Sequence, residues 1–293
     1  MSIHRSLITI SLAAAAASCT SSSSPSAAAQ APAGMGALPR TMQLPERAVR
    51  RDIPMTNMIK HAFALGTRDS TGRPGRNYWQ LWMDYTINAR LEPSTSMLTG
   101  REHIVLHNTS DTALSTIQMR LDQNIFRGDV PRGASVPAEN TEGEGITKLA
   151  VNGVTADLEP VGFGRGGRGR GAQQPAPTVP VVFGIKTTSA RITLTSPIAP
   201  QSSATIDVEW SYKLAGGPGQ GHRMTYRWGD TLYQVAQWYP RVAMFDDLRG
   251  WDTDPYLGPS EFYNNFGHFD VSLDVPGGWI VGATGVLRNP NEV

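Results

Sequence analysis

The chain has 293 residues, with 26 Lys plus Arg against 25 Asp plus Glu, giving a formal net charge of +1. That balance removes a global electrostatic case for nucleic acid as a partner. Hydrophobic residues make up 40% and charged residues 17% of the chain, which describes a folded, loop-rich protein. Past the amino-terminal segment no apolar run approaches the roughly 20 residues that span a bilayer, so a polytopic membrane protein is excluded.

Residues 1–19 read as an export signal: Arg5 supplies the positive end, Leu7 to Ala17 the apolar stretch, and small residues lead into Cys19, the only cysteine. A lone thiol cannot staple a domain, so the mature protein relies on its core. Ala16-Ala17-Ser18-Cys19 resembles a bacterial lipobox, with Ala16 standing where that pattern prefers Leu. Lipidation of Cys19 and ordinary signal cleavage are the two alternatives, which the intact mass of the mature protein separates. The expected location is outside the cytoplasm: periplasmic, anchored to the outer membrane as a lipoprotein, or extracellular. Any membrane contact runs through a lipid on Cys19.

Residues 20–76 are assigned to a low-complexity, disordered tether, because the Ser, Ala and Pro that dominate to about Arg51 offer no periodic apolar pattern. From Asn77 the texture changes. Leu81, Met83, Tyr85, Ile87, Ala89 and Leu91 alternate with Trp82, Asp84, Thr86, Asn88 and Arg90, the period of a strand with one buried face. The alternation returns in Ala113, Ser115, Ile117, Met119 and Leu121, in Ala204, Ile206, Val208, Trp210 and Tyr212, and in Phe269, Val271, Leu273 and Val275. Turn residues such as Glu92-Pro93-Ser94 and Asn152-Gly153 bound these runs. The expected fold is mainly β, an antiparallel saddle-like β-sandwich over 77–293, interrupted by a flexible Gly/Arg/Pro loop at 161–180. The three arginines between Gly162 and Gly171 read as a solvated loop between strands.

Motifs for catalysis are missing. Glu102-His103-Ile104-Val105-Leu106-His107 places two His four apart, but on a strand they lie about 13 Å from each other, too far to share a metal ion. His61, His222 and His268 stand outside any ligand spacing and read as surface or groove residues. There is no Gly-x-Ser-x-Gly elbow, and Gly216-Gly217-Pro218-Gly219 lacks the ending of a phosphate loop. Asp246-Asp247 and Asp252-Thr253-Asp254 lack calcium-loop spacing and read as a solvated acidic loop. What stands out is density: of 23 aromatic residues, twelve lie between Tyr226 and Phe269, interleaved with Gln234, Gln237, Arg241 and Asp246. Aromatic area with oriented polar tips suits a groove for a peptide or a sugar.

Three segments in this order resemble the amino-terminal domain of the aminopeptidase N family of zinc metallopeptidases, in its exported bacterial form. They are Asp84 to Glu102, with its Leu98-Thr99-Gly100-Arg101-Glu102 strand, then Gln234 to Asp247, then Phe269 to Pro276. The resemblance covers about Tyr78 to Val293. It implies a peptide substrate with a free amino terminus, and zinc bound in a catalytic domain that follows this one. The family's His-Glu-x-x-His and Gly-x-Met-Glu-Asn motifs are absent from the chain, so no catalytic or metal-binding residue is expected here, and the chain is expected to be a non-catalytic amino-terminal domain or fragment, inactive alone. It further implies that a glutamine of this domain binds the substrate ammonium, a role carried onto Gln237, with Gln234 as second choice. The rival expectation is a secreted β-sandwich module binding carbohydrate on Trp238, Trp251 and Tyr256, or binding a protein.

Overall fold

The computed structural model describes residues 54–133, 140–158, 177–216, 224–229, 231–260 and 262–291. The expected signal with Cys19, and most of the 161–180 loop, lie outside them. Residues 56–279 form one compact unit; the described residues 54–55 and 280–291 belong to another, which contains no helix or strand among them.

In chain order the compact unit has helix α1 (Asn57–Leu65), β1 (Trp82–Glu92), β2 (Met97–Asn108), β3 (Leu114–Arg120), one turn of 3-10 helix (Asp122–Phe126), β4 (Gly145–Val151), β5 (Val154–Thr155) and β6 (Asp157–Leu158). It continues with β7 (Val181–Phe183), β8 (Ser189–Ile198), β9 (Ser202–Lys213), β10 (Thr225–Trp228), β11 (Leu232–Val235), β12 (Arg241–Val242), β13 (Phe245–Asp246), β14 (Gly250–Trp251) and β15 (Phe266–Asp274). Six strands make one sheet in the order β15-β1-β2-β9-β4-β5, and five make a second in the order β12-β3-β8-β7-β6. The expected mainly-β sandwich is the architecture found. Most neighbours are antiparallel; β15 runs parallel to β1, and β6 to β7.

The alternation explains the layering. Met83, Tyr85 and Ile87 of β1, Ile104 and Leu106 of β2, and Ile206, Val208, Trp210 and Tyr212 of β9 turn inwards. They meet Ile117 and Met119 of β3, Ala190 and Ile192 of β8, Val182 and Val242 in one core, which is the area term that holds a disulfide-free domain together. Two runs depart from strict alternation. A register shift between Leu114 and Thr116 buries Leu114 and leaves Ser115 exposed, reversing the expected face of the first residues of β3. In β15 the apolar face is in phase with β1 but stays substantially exposed.

Structure also begins before residue 77. Within the stretch whose composition suggests a tether, Thr56 caps α1 by accepting from the Ile59 amide at 3.4 Å, and Gly66 ends it at φ 72°. The segment is then clamped to the domain by the Arg68 guanidinium, which donates to both oxygens of Asp247 at 2.9 and 2.7 Å. Asp247 is therefore no member of a solvated acidic loop. A planar fork on a carboxylate satisfies both groups at once.

Candidate functional site

Three buried side chains, Gln123, Tyr212 and Tyr85, hold the backbone of segment 236–242. Gln123, in the 3-10 turn, donates from Nε2 to the carbonyls of Ala236 (3.0 Å) and Gln237 (3.3 Å), while its Oε1 accepts from Thr225 Oγ1 at 3.1 Å. The Tyr212 hydroxyl donates to the Trp238 carbonyl at 2.8 Å, and the Val242 amide donates to the Tyr85 hydroxyl at 3.1 Å. Arg241 is ion-paired through Nη2 with Asp122 Oδ2 and donates from Nε to Asn264 Oδ1 at 2.9 Å. Asp122 Oδ1 lies 3.2 Å from Arg120 Nη2, and Arg120 also reaches the Asp254 carbonyl at 2.5 Å and Asp252 at 3.7 Å. The Asp252 carboxylate and the Asp254 backbone carbonyl thus help to anchor a buried arginine, while the Asp254 carboxylate is 80% exposed.

Within this clamped segment Gln237 has φ 50°, the left-handed region that a side chain disfavours. The cost is offset by the hydrogen bonds on either side, and such conformations collect at functional positions. Gln237 is half-buried, and its side-chain amide makes no hydrogen bond with the described residues. Gln234 sits apart on the outer face of the β10–β11 hairpin, opposite Tyr226, and is exposed. Trp238 packs edge-on against Trp210 (6.0 Å between centroids) and Tyr239 (5.0 Å). Tyr239 in turn meets Tyr85 (5.6 Å) and Phe269 (6.1 Å) edge-on. Tyr256 is fully buried, its hydroxyl bonded to the Gly258 carbonyl at 3.0 Å, and Trp251 is packed on Phe245. The three rings of the expected sugar platform do not share a surface, because Tyr256 belongs to a separate apolar cluster.

Beneath the segment lie two groups that motif reading overlooks. Glu102 and Glu144 are buried to 4% and 3% exposure, and none of their carboxyl oxygens has a hydrogen-bond partner. Burial pushes the Glu102 carboxyl well above its ordinary range, helped by the proximity of Glu144. Glu144 is raised in the same way, first by burial and then by Asp122, against the opposing pull of Arg241. Tyr85, raised by burial, and Tyr239, pushed up to about 12 by burial, both feel Glu102; Tyr212, likewise raised by burial, feels Glu144. Asp122 already neutralises part of the Arg120–Arg241 charge, so neither Glu has a full counter-charge of its own and burial favours the protonated form of both. The signal was present in the alternation: Glu102 falls in phase with Leu98, Ile104 and Leu106.

The histidines of β2 each find an aspartate on the solvent face. His103 Nδ1 lies 2.7 Å from Asp207, and His107 bridges Asp84 (Nε2, 2.8 Å) to Ser203 (Nδ1, 2.9 Å). The His107 hydrogen bond holds the Asp84 carboxyl below its ordinary range. Hydroxyl, imidazole and carboxylate are thus in series on one face of the sheet. Among the described residues no group of three or more His, Cys, Asp or Glu is arranged to hold a metal ion.

No family model matches the chain, and no curated protein matches it. Among solved structures, it is similar to a mutant M1 zinc metallopeptidase from Deinococcus radiodurans bound to a Tyr-Ser-Ala substrate, at 13% identity and a TM-score of 0.34, covering 70% of this chain and 34% of that one. A two-domain M1 zinc metallopeptidase mutant bound to L-tryptophan gives 14% identity and a TM-score of 0.33, with 70% and 35% covered. The M1 zinc metallopeptidase from Deinococcus radiodurans gives 12%, 0.32, 69% and 34%. The chain spans about a third of the length of these structures.

Proposed function

We propose that this is the non-catalytic amino-terminal β domain of an exported zinc metallopeptidase of the aminopeptidase N type. One observation supports the reading above the others. The segments that carry the sequence resemblance, far apart in the chain, come together: β1 pairs with both β2 and β15, and segment 236–242 is bonded to Tyr85 and packed on Phe269. Gln237 is the residue assigned to substrate. Its amide oxygen accepts from the ammonium of a peptide's free amino terminus, and the left-handed, clamped backbone fixes its position beforehand. Gln234 is the second candidate, on a less constrained surface. Hydrolysis itself belongs to a zinc-activated water held by a further domain. Cys19, as a lipid attachment point, tethers the enzyme to a membrane outside the cytoplasm.

The second reading is a secreted module that binds carbohydrate or protein, favoured by the exposure of Trp228 and Leu232 on the β10–β11 hairpin. Sequencing the gene beyond the Val293 codon separates the two. An in-frame His-Glu-x-x-His supports the peptidase, and a stop codon together with glycan-array binding lost in Trp228→Ala supports the module.

A further inference from the structure

Asp122, Gln123 and Asn124 follow one another in the 3-10 turn, are at most 1% exposed, and each secures a different part of the chain. Asn124 ties the turn itself down: its Nδ2 donates to the carbonyls of Ile185 (2.9 Å) and Thr187 (2.8 Å), and its Oδ1 accepts from the Glu144 amide at 2.8 Å. Asp122 takes Arg241, towards the far end of segment 236–242. Gln123 takes the near end, just after β11 stops at Val235. Successive carbonyls of an extended backbone point to opposite sides, so one donor group cannot serve two of them. At φ 50° Gln237 leaves that geometry, and the carbonyls of Ala236 and Gln237 both come within reach of a single Nε2, whose two hydrogens suit two acceptors. The Gln123 amide is fixed the right way round, because its Oε1 is engaged by the Thr225 hydroxyl at 3.1 Å. Only a carboxamide supplies two donors and an acceptor from one planar group, and Asn is a methylene shorter.

We infer that Gln123 is a positioning residue for substrate binding: by holding residue 237 left-handed, it sets where Gln237 presents its amide oxygen to a peptide ammonium. The inference rests on the reading of Gln237 as the group that accepts from that ammonium. Gln123 is itself buried and touches no substrate; it acts through the backbone of its neighbour. An apolar side chain of the same length at 123 leaves two carbonyls without donors, and the segment satisfies them by turning them towards water. That movement carries the Gln237 side chain away from its place. The loss falls on affinity for the free amine, while the chemistry at the scissile bond is untouched.

Two measurements test this. Crystal structures of the chain compare the parent with Gln123→Met, in which residue 237 is expected to leave its positive φ. Peptide hydrolysis with the complete reading frame that carries this domain then compares Gln123→Met, Gln237→Ala and the double variant. Gln123→Met is expected to raise the KM for free-amine peptides by about three- to tenfold, with kcat changed far less, and to add nothing once Gln237 is Ala. If Gln123→Met is too unstable to purify, Thr225→Val removes the bond that orients the Gln123 amide and raises KM in the same direction, and Thr225→Ser reverses that rise. A residue 237 still left-handed in Gln123→Met overturns the inference. So does a KM that Gln123→Met leaves unchanged while Gln237→Ala raises it, or that Gln123→Met raises equally in both backgrounds; each of these leaves the reading of Gln237 standing. Gln237→Ala without effect on KM overturns that reading and the inference with it.

Discussion

Gly100 and Trp210 face each other across β2 and β9, and the indole occupies the space where a β-carbon at Gly100 would stand, 2.2 Å from the ring. The glycine of the Leu98-Thr99-Gly100-Arg101-Glu102 strand is therefore a packing requirement. The ring it admits supports Trp238, the neighbour of Gln237. Gly100→Ala is expected to destabilise the domain by about 1–3 kcal/mol through overpacking, measured by urea denaturation. Equal stability would mean that the ring moves aside freely.

The buried acids give the fold a pH signature. Both Glu102 and Glu144 bind protons more tightly in the folded chain than their ordinary value of 4.5 allows in the unfolded one. Between that value and the raised one, the folded state holds protons that the unfolded state has released, so stability is complete at acid pH and is lost as pH rises. Melting temperatures are expected to fall as the pH rises above the ordinary carboxyl value of 4.5. Glu102→Gln flattens that slope and is more stable than the parent at the upper end. A slope unchanged in Glu102→Gln and Glu144→Gln would assign it to other groups.

Asp122 stands between two buried arginines, Arg120 and Arg241. Asp122→Ala leaves both guanidinium groups short of a counter-charge in a dry site, a loss of about 3–5 kcal/mol. Chemical denaturation reads it directly, and a loss below about 1 kcal/mol would place the arginine charges in contact with water.

Gln237 offers a separation of stability from function. Gly at a left-handed position removes steric strain of about 1–2 kcal/mol but loosens the unfolded chain. Gln237→Gly is thus expected to be as stable as the parent or slightly more so, while Gln237→Val is less stable. Marked destabilisation by Gly would show that the side chain serves the core.

Sequence pattern alone reveals β1, β2 and β9, because each has one face in the core and one in water, which alternation reports. It fails at Leu114 and Ser115, where a bulge reverses the faces. In β15 it finds the strand but not the exposure, since burial depends on what the opposite sheet covers. Gln237 is legible as a candidate through family likeness, but its left-handed backbone depends on Gln123, 114 residues away. The same distance hides Asp247, whose partner Arg68 lies 179 residues upstream in a segment with a tether's composition. Glu102 was visible as an acid in the apolar phase of a strand; that it meets Glu144 required the tertiary fold.

The proposed role of Gln237 in holding the substrate ammonium is read out by peptide hydrolysis with the complete reading frame that carries this domain, comparing the parent with Gln237→Ala. The KM for free-amine peptides is expected to rise at least about tenfold, as for loss of a hydrogen bond to a charged group, with kcat changed far less. Unaltered kinetics, or a reading frame without aminopeptidase activity, would contradict it.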